Sequence, residues 1–152
     1  MELVPSRFEG RDRPGDFAWM VTQPEYADAL FVFNDNEEQF RAFQRDPGGG
    51  AGLSPGGGNA TIRPCRGADP PRAAGIPTGR AGQGYPVLTA DAREAIDDAL
   101  RVIADLLATG GYQRVVYSAA NADGDLGTGI FEVGDDVKRY IVDGLRKLVP
   151  AG

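Results

Sequence analysis

The sequence predicts an α/β fold, a three-layer sandwich with a mostly parallel or mixed sheet and helices on both faces. Three observations carry that expectation. Short apolar or β-branched runs alternate with amphipathic stretches, so that the order strand, loop, helix recurs three times. Two of the amphipathic stretches, 90–109 and 135–148, each present one continuous apolar face at helical spacing. The chain has 152 residues, 41% of them apolar and 25% charged, the size and balance of one globular domain.

The elements follow in chain order. Residues 1–29 read as an N-terminal extension, in which the alternation of Phe17, Trp19 and Val21 fits an added edge strand. Residues 30–152 read as a single α/β nucleotide-binding domain. Its first strand is the apolar run Leu30–Phe33, which stops at Asn34-Asp35-Asn36. Asp35 and Glu38 have capping-box spacing for a short helix through Phe40 and Phe43, ending before Pro47. The Gly-rich loop 47–58 (PGGGAGLSPGGG) is almost pure backbone, and its composition alone is that of a flexible linker. It is also followed by Asn59–Arg63, a stretch that can open a short helix. A glycine turn before such a helix presents free N–H groups to an anion. Residues 48–55 are expected to be mobile, with Gly56-Gly57-Gly58 lining a cleft.

Residues 73–77 form a weak second strand, followed by a loop from Gly79 to Gly84 that carries Arg80. Thr89 caps a helix whose apolar face is Ala92, Ile96, Ala99, Leu100, Ile103 and Leu107, stopped by Gly110-Gly111. Val115–Ala119 is the third strand, rich in β-branched and aromatic residues. The loop 121–131 leads to a final helix with Asp135 at its cap. The first and third strands are expected to be parallel neighbours.

Composition narrows the chemistry. The chain has no histidine and a single cysteine, Cys65. That excludes a Ser-His-Asp triad, a Cys-His dyad, the usual zinc sites and an intramolecular disulfide. No residue set calls for a metal or an organic cofactor. A metal, if one binds, is a hard cation on oxygen ligands. The net charge of −6 argues against a nucleic-acid partner. No run approaches the ~18 apolar residues that span a bilayer. The N-terminus reads as neither signal nor transit peptide, and the expected location is the reducing cytoplasm. Residues 47–86 are the exception to the acidic balance, with four arginines (Arg63, Arg66, Arg72, Arg80) against one aspartate and 12 of the 22 glycines.

In an open α/β sheet the ligand lies beyond the C-terminal ends of the strands. The three loops leaving those ends begin at Asn34, Thr78 and Asn121. Their glycines and amides suit a phosphate-bearing small molecule held by backbone N–H groups. Gly127-Thr128-Gly129-Ile130-Phe131 is the sharpest of these signals, because glycines on both sides of a threonine let backbone approach a phosphate. Its bland reading, a tight turn returning Ile130 and Phe131 to the core, has equal weight. Asp35 is the one general-base candidate, placed to orient a water, although a helix cap is the commoner role for such a residue. Asn36 can hydrogen-bond a ribose hydroxyl. Arg63, Arg66, Arg72 and Arg80 are phosphate candidates by charge and fork geometry, with most expected on the solvated surface and one or two on a ligand, Arg63 and Arg80 foremost.

Asn34 and Asn36 after an apolar strand, Gly56-Gly57-Gly58-Asn59-Ala60 with Ile62, and Gly127-Thr128-Gly129-Ile130-Phe131 before a helix together resemble the macro domain pattern. The resemblance spans about residues 30–148. The family's Asn-Ala-Ala-Asn stands here as Asn34-Asp35-Asn36. The resemblance implies an ADP-ribose pocket in which the two glycine loops embrace the diphosphate and Phe131 packs near the distal ribose. A Rossmann-like nucleotide-binding domain has a similar outline. Two activities follow: a module that binds or sequesters an ADP-ribose-like nucleotide, favoured by the absence of histidine, or a hydrolase of an ADP-ribose derivative with Asp35 orienting water. A structural protein whose glycine tract is a linker is the third reading. Oligomeric state is not legible.

Overall fold

A computed structural model describes residues 1–129 and 131–150. Ile130, one of the candidate ligand residues, lies outside the described residues. The chain forms β1 (Glu2–Arg7), α1 (Phe17–Met20), β2 (Ala29–Asp35), α2 (Glu37–Arg45), β3 (Ala73–Pro77), β4 (Gly79–Arg80), β5 (Gln83–Gly84), α3 (Ala90–Thr109), β6 (Arg114–Ala119) and α4 (Asp135–Leu148), with 3-10 turns at Pro24–Tyr26, Gly50–Leu53 and Gly58–Gly67.

Four strands make one sheet in the order β1-β6-β2-β3. Every neighbouring pair is parallel. The expected adjacency of the first and third predicted strands is present, with Ala29 opposite Arg114 and Val32 opposite Tyr117. β4 and β5 form a separate antiparallel hairpin. The fold is therefore α/β with a parallel sheet.

Strand alternation sorts the core into two clusters. Leu30, Val32, Ile76, Val115 and Tyr117 face α3 and α4, where they meet Ile96, Ile103, Ile141 and Leu145. Phe31, Phe33, Ala73 and Val116 face the other way, onto Phe17, Met20, Ala60 and Ile62. β2 is buried on both sides, which is why it reads as a continuous apolar run instead of an alternating one.

Three local expectations need correction. Phe17, Trp19 and Val21 are not a strand, since Phe17–Met20 is a helical turn that buries Phe17 and Met20 three residues apart. The edge strand is β1 instead, and its Pro5 fits an edge position, where a missing N–H breaks no ladder on the open side. The cap of α2 is Asn36, whose side chain accepts from the Gln39 amide, not Asp35. The cap of α4 is Gly134, with Asp135 inside the helix. Thr89 caps α3 as expected, accepting from the Ala92 amide. Among the described residues, no helix is long and apolar enough to cross a membrane.

Candidate functional site

The C-terminal ends of β2 and β6 lie side by side, and side chains leave them toward both faces of the sheet. On β2, Asn34 shares the face of Leu30 and Val32, and Asp35 shares the face of Phe31 and Phe33. On β6, Ser118 shares the face of Val116.

Asn34 reaches the late glycine loop, its Nδ2 donating to the Gly127 carbonyl at 2.6 Å. Gly127 is also tied to β6, its amide donating to Ser118 O at 3.0 Å. On the opposite face, Asn59 follows the glycine triplet and donates through Nδ2 to Ser118 Oγ at 2.9 Å and to Gly15 O at 3.1 Å. Its Oδ1 accepts from the Phe17 amide. The two asparagines thus tie the two glycine loops to one pair of strand ends, from opposite faces. Among the described residues, no hydrogen bond engages the backbone amides of Gly57, Gly58, Thr128 or Gly129. Those groups can serve an anion.

The remaining candidates sit elsewhere or are occupied. Asn36 caps α2. Asp35 has no exposed side-chain surface. Its Oδ1 accepts from Arg63 Nε at 3.2 Å and Nη2 at 2.9 Å, and from the Asn36 amide at 2.8 Å. Its Oδ2 accepts from Arg66 Nη1 at 2.7 Å. A carboxylate so enclosed presents no surface to solvent. Arg63, taken from sequence as a phosphate ligand, is 5% exposed and commits its remaining Nη1 to Ser54 O. Arg66 is equally buried. Burial pulls its guanidinium below the ordinary value, while the neighbouring Asp35 opposes that shift. Arg80 stays half-exposed on the β4–β5 hairpin, 3.9 Å from Glu37 and 3.8 Å from Asp91. Phe131 is 47% exposed on the rim of the late loop.

The tract 47–58 is more anchored than its composition predicts. Gly50–Leu53 is a 3-10 turn, and Gly52 is buried where a β-carbon would come within 2.5 Å of the Phe43 backbone. Gly129 is unconstrained by its own backbone and surroundings. Its φ is not positive, and a β-carbon there meets nothing within 4 Å.

Sequence reasoning missed Ser118, Gly15 and the pairing of Arg66 with Asp35. A signal for the last was available. Arg63 and Arg66 are three apart, and a 3-10 helix has about three residues per turn, so both project from one side. An aspartate ending an apolar strand is their natural counter-ion.

Two surface clefts lie away from the glycine loops. One of about 530 Å³ is lined by Phe8, Arg11, Asp12, Asp16, Ala18, Trp19 and Thr22. The other, about 430 Å³, runs along α3 between Leu88 and Arg101. Neither is lined by a residue of either loop. Comparison with protein-family models, curated proteins and solved structures finds no match to this chain.

Proposed function

We propose that this protein binds a phosphate-bearing nucleotide of the ADP-ribose kind, as a sensor or sequestering module. In this reading the domain is a three-layer sandwich of macro-like or Rossmann-like type. The diphosphate lies across the ends of β2 and β6, between Gly56–Asn59 and Gly127–Gly129. The observation that carries the reading is the paired tethering of those loops, Asn34 to Gly127 and Asn59 to Ser118, on adjacent strand ends. Open amides on both loops supply donors for phosphate oxygens without a basic side chain. Phe131 and Arg80, both exposed, are the side chains left to contact the rest of a nucleotide.

Binding is favoured over hydrolysis for a specific reason. Asp35, the one base candidate, would have to abandon two buried guanidinium groups to activate water. The test is calorimetric titration with ADP-ribose, ADP, a cyclic nucleotide and inorganic phosphate, followed by product analysis. One-to-one binding of ADP-ribose with no product supports the reading. A turnover product supports hydrolysis, and no heat with any of the four removes the nucleotide assignment. A ligand present at a hundredfold its dissociation constant also adds about 2.7 kcal/mol to stability, which a thermal shift detects independently.

A further inference from the structure

We infer that Asp35 is the positioning residue of the first glycine loop, which it holds in shape through Arg63 and Arg66 before any ligand arrives. The chain of contacts starts in the sheet. Asp35 closes β2 opposite Pro77, and its carbonyl accepts from both the amide and the hydroxyl of Thr78. Its backbone is therefore as fixed as the core. Gly75 on β3 leaves the room the cluster needs, because a β-carbon there would lie 2.5 Å from Asp35 Oδ2 and 3.0 Å from Arg66 Nη1.

Each arginine carries the constraint outward. Arg63 Nη1 donates to Ser54 O at 3.0 Å. Arg66 Nε donates to Gly52 O at 2.7 Å, and its Nη2 to Gln39 O at 3.1 Å. Arg66 is also stacked between Phe43 and Phe33, with its guanidinium carbon 4.6 and 5.5 Å from the ring centroids. One carboxylate thereby joins the end of β2, helix α2 and the tract 50–58. Five of the nine residues of that tract are glycine and offer no side chain with which to pack. Charged donors on its carbonyls add to the 3-10 turn and the loop's own amide bonds in ordering it against the large conformational entropy of glycine. A loop ordered in advance binds without paying for its own folding.

The inference rests on the phosphate-cradle reading only for its ligand readout, so its first test needs no ligand. Arg66→Lys and Arg63→Lys each keep a positive charge beside Asp35 but lose the fork that reaches the loop carbonyls. Amide hydrogen exchange is measured on both variants and the parent. The expected result is exchange at least tenfold faster at Ser54 and Gly56, whose amides donate to Ala51 O and Ala60 O, with β2, β6 and α3 unchanged. Loop amides that exchange as in the parent, in either folded variant, overturn the inference. The second test is stopped-flow binding of ADP-ribose. Lost ordering lowers the association rate several-fold and leaves dissociation unchanged. Faster dissociation at an unchanged association rate would make the arginines ligand contacts and overturn the positioning role. A parent that does not bind ADP-ribose defeats the nucleotide reading, while the exchange experiment, with Asp35→Asn added as a third variant expected to speed the same loop amides, still decides the positioning role.

Discussion

Asp35→Asn separates a structural anion from a catalytic one. The substitution preserves shape and removes one negative charge from a side chain with no exposed surface. It leaves Arg63 and Arg66, 5% and 3% exposed, without a counter-ion. Breaking a buried ion pair from one side costs about 3–5 kcal/mol, because the partner charge stays behind in a poorly solvated place. Two guanidinium groups share this carboxylate, so the upper half of that range is expected. In a domain of this size each kcal/mol moves the melting temperature by about 2–4 °C, which makes the expected fall about 8–20 °C. Thermal and urea denaturation followed by circular dichroism measure it, and an unchanged urea slope confirms that stability itself moved. A triple variant, Asp35→Leu with Arg63→Met and Arg66→Met, should recover only part of the loss. It removes the buried charges but orphans the carbonyls of Gln39, Gly52 and Ser54. Asp35→Asn with stability within about 0.5 kcal/mol of the parent, or above it, would contradict the structural role. That is the behaviour of a surface or active-site residue.

Three further outcomes follow from the geometry. Gly129→Val should leave stability within about 0.5 kcal/mol of the parent, since its β-carbon meets nothing, yet weaken ADP-ribose binding at least tenfold by calorimetry. Gly58→Ala should cost about 1–2 kcal/mol by urea denaturation, because Gly58 sits at φ +58°, in the left-handed region that a β-carbon disfavours. Above pH ~10 stability should fall. Burial, with Glu37 beside it, raises the Tyr85 phenol, and burial raises Tyr117. The unfolded chain therefore loses these protons first, and their contribution, complete below pH ~10, drains away as pH rises. Urea denaturation between pH 8 and 11 checks this outcome, with ultraviolet absorbance reporting phenol ionisation.

Much of the fold was legible because the signals were local and strong. The stripe from Ala92 to Leu107 has one reading, as does the apolar run Leu30–Phe33. β1 was hidden because Pro5 and the polar residues around it suit an open edge, where only one neighbour imposes a pattern. Phe17-Ala18-Trp19-Met20 misled because a four-residue element is too short to distinguish a period of 2 from one of 3.6. At the site, Asn34, Asn59 and Gly127 were named from sequence, but their meeting depends on β2 and β6 being neighbours and on which face each side chain takes. Asp35 was visible as a carboxylate at a strand end. That it is sealed by two arginines about 30 residues further along is a tertiary fact, legible only from the three-residue spacing of Arg63 and Arg66.

The most direct measurement is a titration of the isotope-labelled protein with ADP-ribose, following backbone amide chemical shifts. The expected result is saturable shifts at Gly57, Gly58, Thr128 and Gly129, spreading to Asn34, Asn59 and Ser118, with the α3 surface between Leu88 and Arg101 unmoved. No saturable shift at millimolar ligand, or shifts confined to that α3 surface, would contradict a nucleotide cradle built from the two glycine loops.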